Sequence, residues 1–170
     1  MAGNVERELY AGVRAALATI AKGALVSGSA FTYTYTVLDE AILAGPLVQP
    51  PALGQAVYVA LGEPRGGRVR TDLVHDHHRL QLPVQGWVAP TNTGRLTRRL
   101  EALDLFADVR LCLSARCLLP GMTTEADGSM GDEVSLEMLR AGASQVHTNW
   151  ATFDALLTLP WRQARPPVLT

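Results

Sequence analysis

Val5, Leu9, Val13, Ala16, Leu17 and Ile20 recur at three- and four-residue intervals. That spacing puts them on one stripe and predicts an amphipathic helix from about Val5 to Lys22. Asn4 suits the N-cap, Glu6 and Glu8 complement the positive end of the helix dipole, and Lys22 and Gly23 mark its end. The next segment, Phe31 to Val37, changes period. Phe31, Tyr33, Tyr35 and Val37 alternate strictly with Thr32, Thr34 and Thr36, the pattern of a half-buried strand with a threonine face turned to water or to another subunit.

Residues 39–54 carry Gly45, Pro46, Pro50, Pro51 and Gly54 and read as a long connector, because proline cannot donate to a central ladder. A strand follows over Gln55–Leu61, broken by Gly62–Gly67 as a hairpin tip. A third strand lies within Val69–Val88, best over Arg79–Val88, with Pro83 marking an edge or a bulge. A second helix is expected from about Thr93 to Ala115, capped by Thr91 or Thr93. Its core stripe would be Leu96, Leu100, Leu103, Phe106, Val109 and Leu113, with Arg95, Arg98, Arg99 and Glu101 in water. Pro120 and Gly121 end that region, and residues 122–133 read as an acidic loop. Glu133–Leu139 fits a short strand or a helical turn equally well. Trp150–Trp161 is the last strand, with Ala151, Phe153, Ala155, Leu157 and Leu159 on one face.

Helix, strands, helix, strands, joined by short turns, define an α+β two-layer sandwich: a mostly antiparallel sheet of four to five strands with two helices on one face. Residues 1–161 form one domain and 162–170, with Pro166 and Pro167, an extended tail. At 170 residues the chain buries roughly 70% of its unfolded surface and needs no metal or disulfide to fold. Net charge is −1, so no global field draws nucleic acid or an anionic membrane. No stretch is long and apolar enough for a membrane span, and the N-terminal acids do not fit a secretion signal, so synthesis in the cytoplasm is expected.

The chemistry-bearing candidates are few. His75 and His77, at i and i+2 of a strand, would share a face, and with His78 they are the best candidate metal ligands; a third and fourth ligand are not evident. Cys112 and Cys117 lack metal or redox spacing. There is no nucleophile elbow and no phosphate loop, so no catalytic residue and no cofactor are assigned. Arg65, Arg68, Arg70, Arg95, Arg98 and Arg99 form a basic set without interleaved aromatic residues. Tyr33, Tyr35, Trp87, Trp150 and Trp161 suit core or interface anchors.

Three stretches carry a family resemblance: the opening helix VERELYAGVRAALATIAKG, the pair PALGQAVYVALGE and RLQLPVQGWVAP, and the helix TGRLTRRLEALDLFADVRLCL leading to WATFDALLTLPWR. In order and pattern these resemble the tail terminator (minor tail, or tail-completion) proteins of long-tailed bacteriophages. The resemblance implies a structural virion protein of the tail rather than an enzyme. Such a protein forms a homo-oligomeric ring, typically a hexamer, that caps the tail tube, stops its polymerisation and joins the tail to head or neck connector proteins. Genomic DNA would pass through the ring without specific binding. Tyr33, Tyr35, Arg65, Arg68, Arg70 and Trp87 would serve the interfaces, and Glu125, Asp127, Asp132 and Glu133 would line the lumen. The alternatives are a head-completion or neck connector protein, a small metal-binding enzyme using His75–His78, and a nucleic-acid-binding module.

Overall fold

A computed structural model of the chain describes residues 5–26, 29–49, 54–71, 75–89, 94–114, 135–143 and 150–164. The elements are α1 (Val5–Leu17), a 3-10 turn (Asp39–Ala41), β1 (Ile42–Ala44), β2 (Val57–Leu61), β3 (Arg65–Thr71), β4 (His75–Val88), α2 (Arg95–Ser114), β5 (Ser135–Ala143) and β6 (Ala151–Ala164). The fold is α+β, with both helices on one side of a mostly antiparallel sheet. The sheet has six strands rather than four to five, in the order β1-β2-β4-β6-β5, with β3 also paired to β4. Among the described strands only β1 and β2 run parallel.

The principal core lies between the helices and one sheet face. Leu80, Leu82 and Val84 of β4 and Ala151, Phe153, Ala155, Leu157 and Leu159 of β6 are buried there, so the alternation read from β6 holds along its length. Against them pack Leu9, Val13, Leu17 and Ile20 from α1 and its extension, and Leu105, Phe106, Val109 and Leu113 from α2. The rings of Phe106 and Phe153 meet edge-on at 5.4 Å. Gly86 is required beneath this pair: a Cβ there would overlap the Phe153 ring.

α1 stops at Leu17, short of the expected end at Lys22. The hydroxyl of Thr19 donates to Ala16 O at 2.7 Å while its backbone N–H uses the same carbonyl at 3.0 Å. This competition tightens the last turn and ends the helix. Gly23 then supplies the left-handed turn, φ +79°, that carries the chain back.

Phe31–Val37 is not a strand. Its burial alternates almost as expected, with Tyr33 and Val37 buried and the threonines exposed, but Phe31 is exposed. An isolated antiparallel bridge of Thr32 with Leu25, with Tyr33 N–H donating to Ala24 O at 3.0 Å, a bond from Val37 N–H to Ile20 O at 3.0 Å, and a side chain satisfy its backbone in place of an extended ladder. Thr34 and Tyr35 both donate their backbone N–H to the carboxylate of Asp108 on α2, at 2.8–3.0 Å.

Gly62–Gly67 is not a hairpin tip. β2 and β3 pair with the same side of β4. β2 lies along its far half, from Val57 opposite Val88 to Leu61 opposite Val84. β3 lies along the near half, from Arg65 opposite Gln81 to Thr71 opposite Asp76. They form one interrupted strand line, and the reversal falls between Thr71 and His75. The interruption explains why Pro83 sits in a central strand rather than at an edge. In an antiparallel ladder a residue's N–H and C=O point to the same neighbour. Pro83 O accepts the Gly62 N–H at 2.8 Å, so its missing donor faces the gap between β2 and β3. In the connector, β1 occupies an edge position, as its neighbouring prolines require. β5 settles the segment after Glu133 as a strand, and β6 runs to Ala164, past the expected end.

Candidate functional site

The outer sheet face, turned away from the helices, carries a second apolar cluster at one end, and at the other end His77 on this face is also buried. In the cluster Ala41, Leu43 and Leu47 fold over Tyr58 and Trp87, with Trp150 edge-on to Trp87 at 6.1 Å. Tyr58 OH accepts the Gln55 N–H at 2.7 Å. Beyond this cap the face is polar. Gln85 accepts from Leu47 N–H at 3.0 Å and donates to Asp154 at 3.2 Å. Arg79, Gln81, Pro83, Glu137 and Arg140 are exposed.

α2 is turned differently from what its sequence predicts. Leu96 and Leu100, expected in the core, are 71% and 51% exposed, while Arg98 and Glu101, expected in water, are buried. The buried stripe is Ala102, Leu105, Val109, Cys112 and Leu113, again at three- and four-residue spacing. The two stripes diverge in the first turns of the helix, and contact with β5 and β6 selects the second. On β5, Leu139 sits at a register shift between Met138 and Arg140 and is 63% exposed.

The turned-in polar face of α2 meets Tyr35. Asp108 is 2% exposed; burial pushes its carboxyl above the ordinary range, partly offset by the N–H groups of Thr34 and Tyr35 and reinforced by Asp104. The Tyr35 phenol is pushed up to about 12, by burial first and then by the negative field of Glu101, Asp104 and Asp108. Cys112 donates its thiol to Ala16 O at 3.1 Å and so ties α2 to the end of α1, a structural placement.

Of the expected interface residues, Tyr33 and Trp87 are buried within this chain and give it core, not surface. Tyr35 is half-buried, and Arg65 and Arg68 are exposed. Arg70 lies on β3 opposite His77. The arginine set does not converge: Arg68 faces Asp76 at 3.9 Å on the helix side of the sheet, and Arg98 is buried in α2. Glu125, Asp127, Asp132 and Glu133 lie outside the described residues, as do Cys117 and the expected caps Asn4, Thr91 and Thr93. On β4, His75 opposite Ala164 and His77 share one face, as their spacing predicts, and His78 lies on the other. His77 falls on the outer face opposite Arg162, whereas His78 stacks on Trp161 with centroids 4.0 Å apart and planes 8° from parallel. Among the described residues no group of three or more His, Cys, Asp or Glu side chains is placed to hold a metal. Also among them, no helix is long and apolar enough to cross a membrane.

No protein-family model matches the chain, and no curated protein matches it at a level that marks relatedness.

Proposed function

We propose that this protein is a structural component that assembles with copies of itself into a ring at the end of a bacteriophage tail, as a tail terminator. One observation carries the reading. The chain offers two different exposed surfaces on opposite sides of one sheet: the apolar pair Leu96 and Leu100 on α2, and the polar outer face that neither described helix covers. A closed ring is built from a heterologous contact, one surface of a copy against a different surface of the next, repeated until it closes. Leucines turned outward while arginine and glutamate are turned inward fit a helix whose second side is completed by another chain. The resemblance of the sequence, in order and pattern, to that family is the second support for the reading. In this reading the chain acts by shape and contact, stopping tube growth and joining the tail to head or neck proteins, and does not catalyse a reaction.

Native mass spectrometry of the concentrated full chain, with negative-stain imaging of the same sample, tests it. A single closed oligomer with a central hole is the expected result. A strict monomer both alone and with tail-tube ends would overturn it.

A further inference from the structure

We propose that the outer sheet face at the end formed by β3, β4 and β6 binds the phosphate backbone of a nucleic acid. The strand register gathers basic residues that are scattered in sequence. In one row Arg65 lies opposite Gln81, and Gln81 opposite Thr158. In the next, Gly67 lies opposite Arg79, and Arg79 opposite Pro160. In the third, His77 has Arg70 on one side and Arg162 on the other. Neighbouring strands are about 4.8 Å apart and each residue advances about 3.4 Å. Four arginine positions therefore share a patch about 10 Å across and about 14 Å long on one face.

Asp76 is the one acid in β3 and the adjoining ends of β4 (75–81) and β6 (158–164). It falls on the helix side, where the Thr71 hydroxyl donates to it at 2.8 Å and Arg68 stands 3.9 Å away. Arg65 and Arg79 are exposed, and among the described residues neither has a carboxylate within ion-pair distance. In a chain of net charge −1, the exposed Arg65 and Arg79 thus share one sheet face with the positions of Arg70 and Arg162. Arginine's planar fork suits phosphate oxygens. The nearby indole, Trp161, stacks on His78 at the other face, and the His77 ring is buried, so neither of these rings is offered for base stacking. Contacts to phosphates without base contacts make binding independent of sequence. The inference does not rest on ring formation.

The test is fluorescence anisotropy of a short labelled DNA duplex with the full chain, across a salt series, comparing wild type with Arg65→Glu, Arg79→Glu and Arg99→Glu. Arg99 is exposed on α2, on the helix side, and serves as the control. Thermal unfolding of each variant checks that the fold persists. With up to four phosphates neutralised, affinity should fall about 100-fold for a fourfold rise in salt. Arg65→Glu and Arg79→Glu should each weaken binding about tenfold or more and flatten the salt dependence, while Arg99→Glu stays within about twofold. Absence of duplex binding at low salt, or equal weakening by Arg99→Glu, would overturn the proposal. So would a wild type that ignores DNA but self-associates in a salt-sensitive way that Arg79→Glu abolishes; that outcome assigns the face to acidic groups of a second copy.

Discussion

The backbone N–H of Tyr35 donates to the carboxylate of Asp108 at 2.8 Å, a bond between residues 73 positions apart. With the two bonds from Thr34, this one side chain does for an irregular segment what a neighbouring strand would otherwise do. It also fixes the segment to α2, and with it Tyr33 and Val37 in the core.

Asp108→Ala removes the acceptor and leaves two amides without it, so a loss of about 2–3 kcal/mol in urea unfolding is expected. The pH dependence has a definite sign. Because burial raises the Asp108 carboxyl above its ordinary 3.8, the folded state binds the proton more readily than the unfolded chain. This contribution to stability is full below 3.8 and declines as pH rises through the raised value. Asp108→Asn resembles the protonated carboxyl and lacks the titration, so the wild-type unfolding midpoint should fall relative to that of the variant as pH increases from the acid side.

Tyr35 gives a second, independent pH signature. Its phenol titrates near 12 instead of 10, so between those values the folded form resists ionisation that the unfolded chain accepts. Stability should therefore decline as pH rises through this window. Ultraviolet difference titration should show one of the four tyrosines ionising late. Tyr35→Phe should abolish that late phase; its persistence would reassign it.

Gly86→Ala probes the centre of the core. Its Cβ would overlap Phe153, which is held by Phe106 and cannot swing aside cheaply. A loss of about 1–3 kcal/mol is expected. The compensating double variant Gly86→Ala with Phe153→Leu should recover part of it, measurable as a coupling in a double-mutant cycle.

Leu96→Glu with Leu100→Glu separates assembly from folding. Both side chains are mostly outside the core, so thermal stability of the monomer should change by under about 1 kcal/mol. Self-association by analytical ultracentrifugation should disappear. Unchanged assembly would remove α2 from the interface.

Elements whose sequence carries one period unopposed are legible in it. β6 keeps an unbroken apolar face from Ala151 to Leu159, with Leu156 the one apolar residue opposite, and α1 has a single stripe, so Phe153, Leu157, Leu9 and Val13 both locate and orient them. α2 can be located but not oriented, because it carries two apolar stripes. Leucine size favours Leu96 and Leu100, while packing favours the smaller Ala102 and Cys112. The Phe31–Val37 segment shows the converse: alternation specifies which side chains enter the core but not what satisfies the backbone, and nothing near it in sequence points to Asp108 as its partner. The basic face is illegible for a different reason. Arg79 and Arg162 join Arg65 and Arg70 only through strand register, which sequence neighbourhood does not express.

The gap at Gly62–Pro64 has a mechanical consequence. β4 and β6 run side by side without a break from His75 opposite Ala164 to Val88 opposite Ala151, while the strand line flanking β4 is cut in two. The sheet is a continuous beam with a segmented flange. β2 is buried on both faces, so its amides should exchange with solvent deuterium only when the whole domain unfolds. The β3 amides, carried by a flange segment with exposed side chains, should exchange through a local peeling that leaves the beam intact. The β3 segment that bears Arg65 and Arg70 is thereby free to adjust its tilt relative to Arg79 and Arg162 on the beam, at little cost to the core.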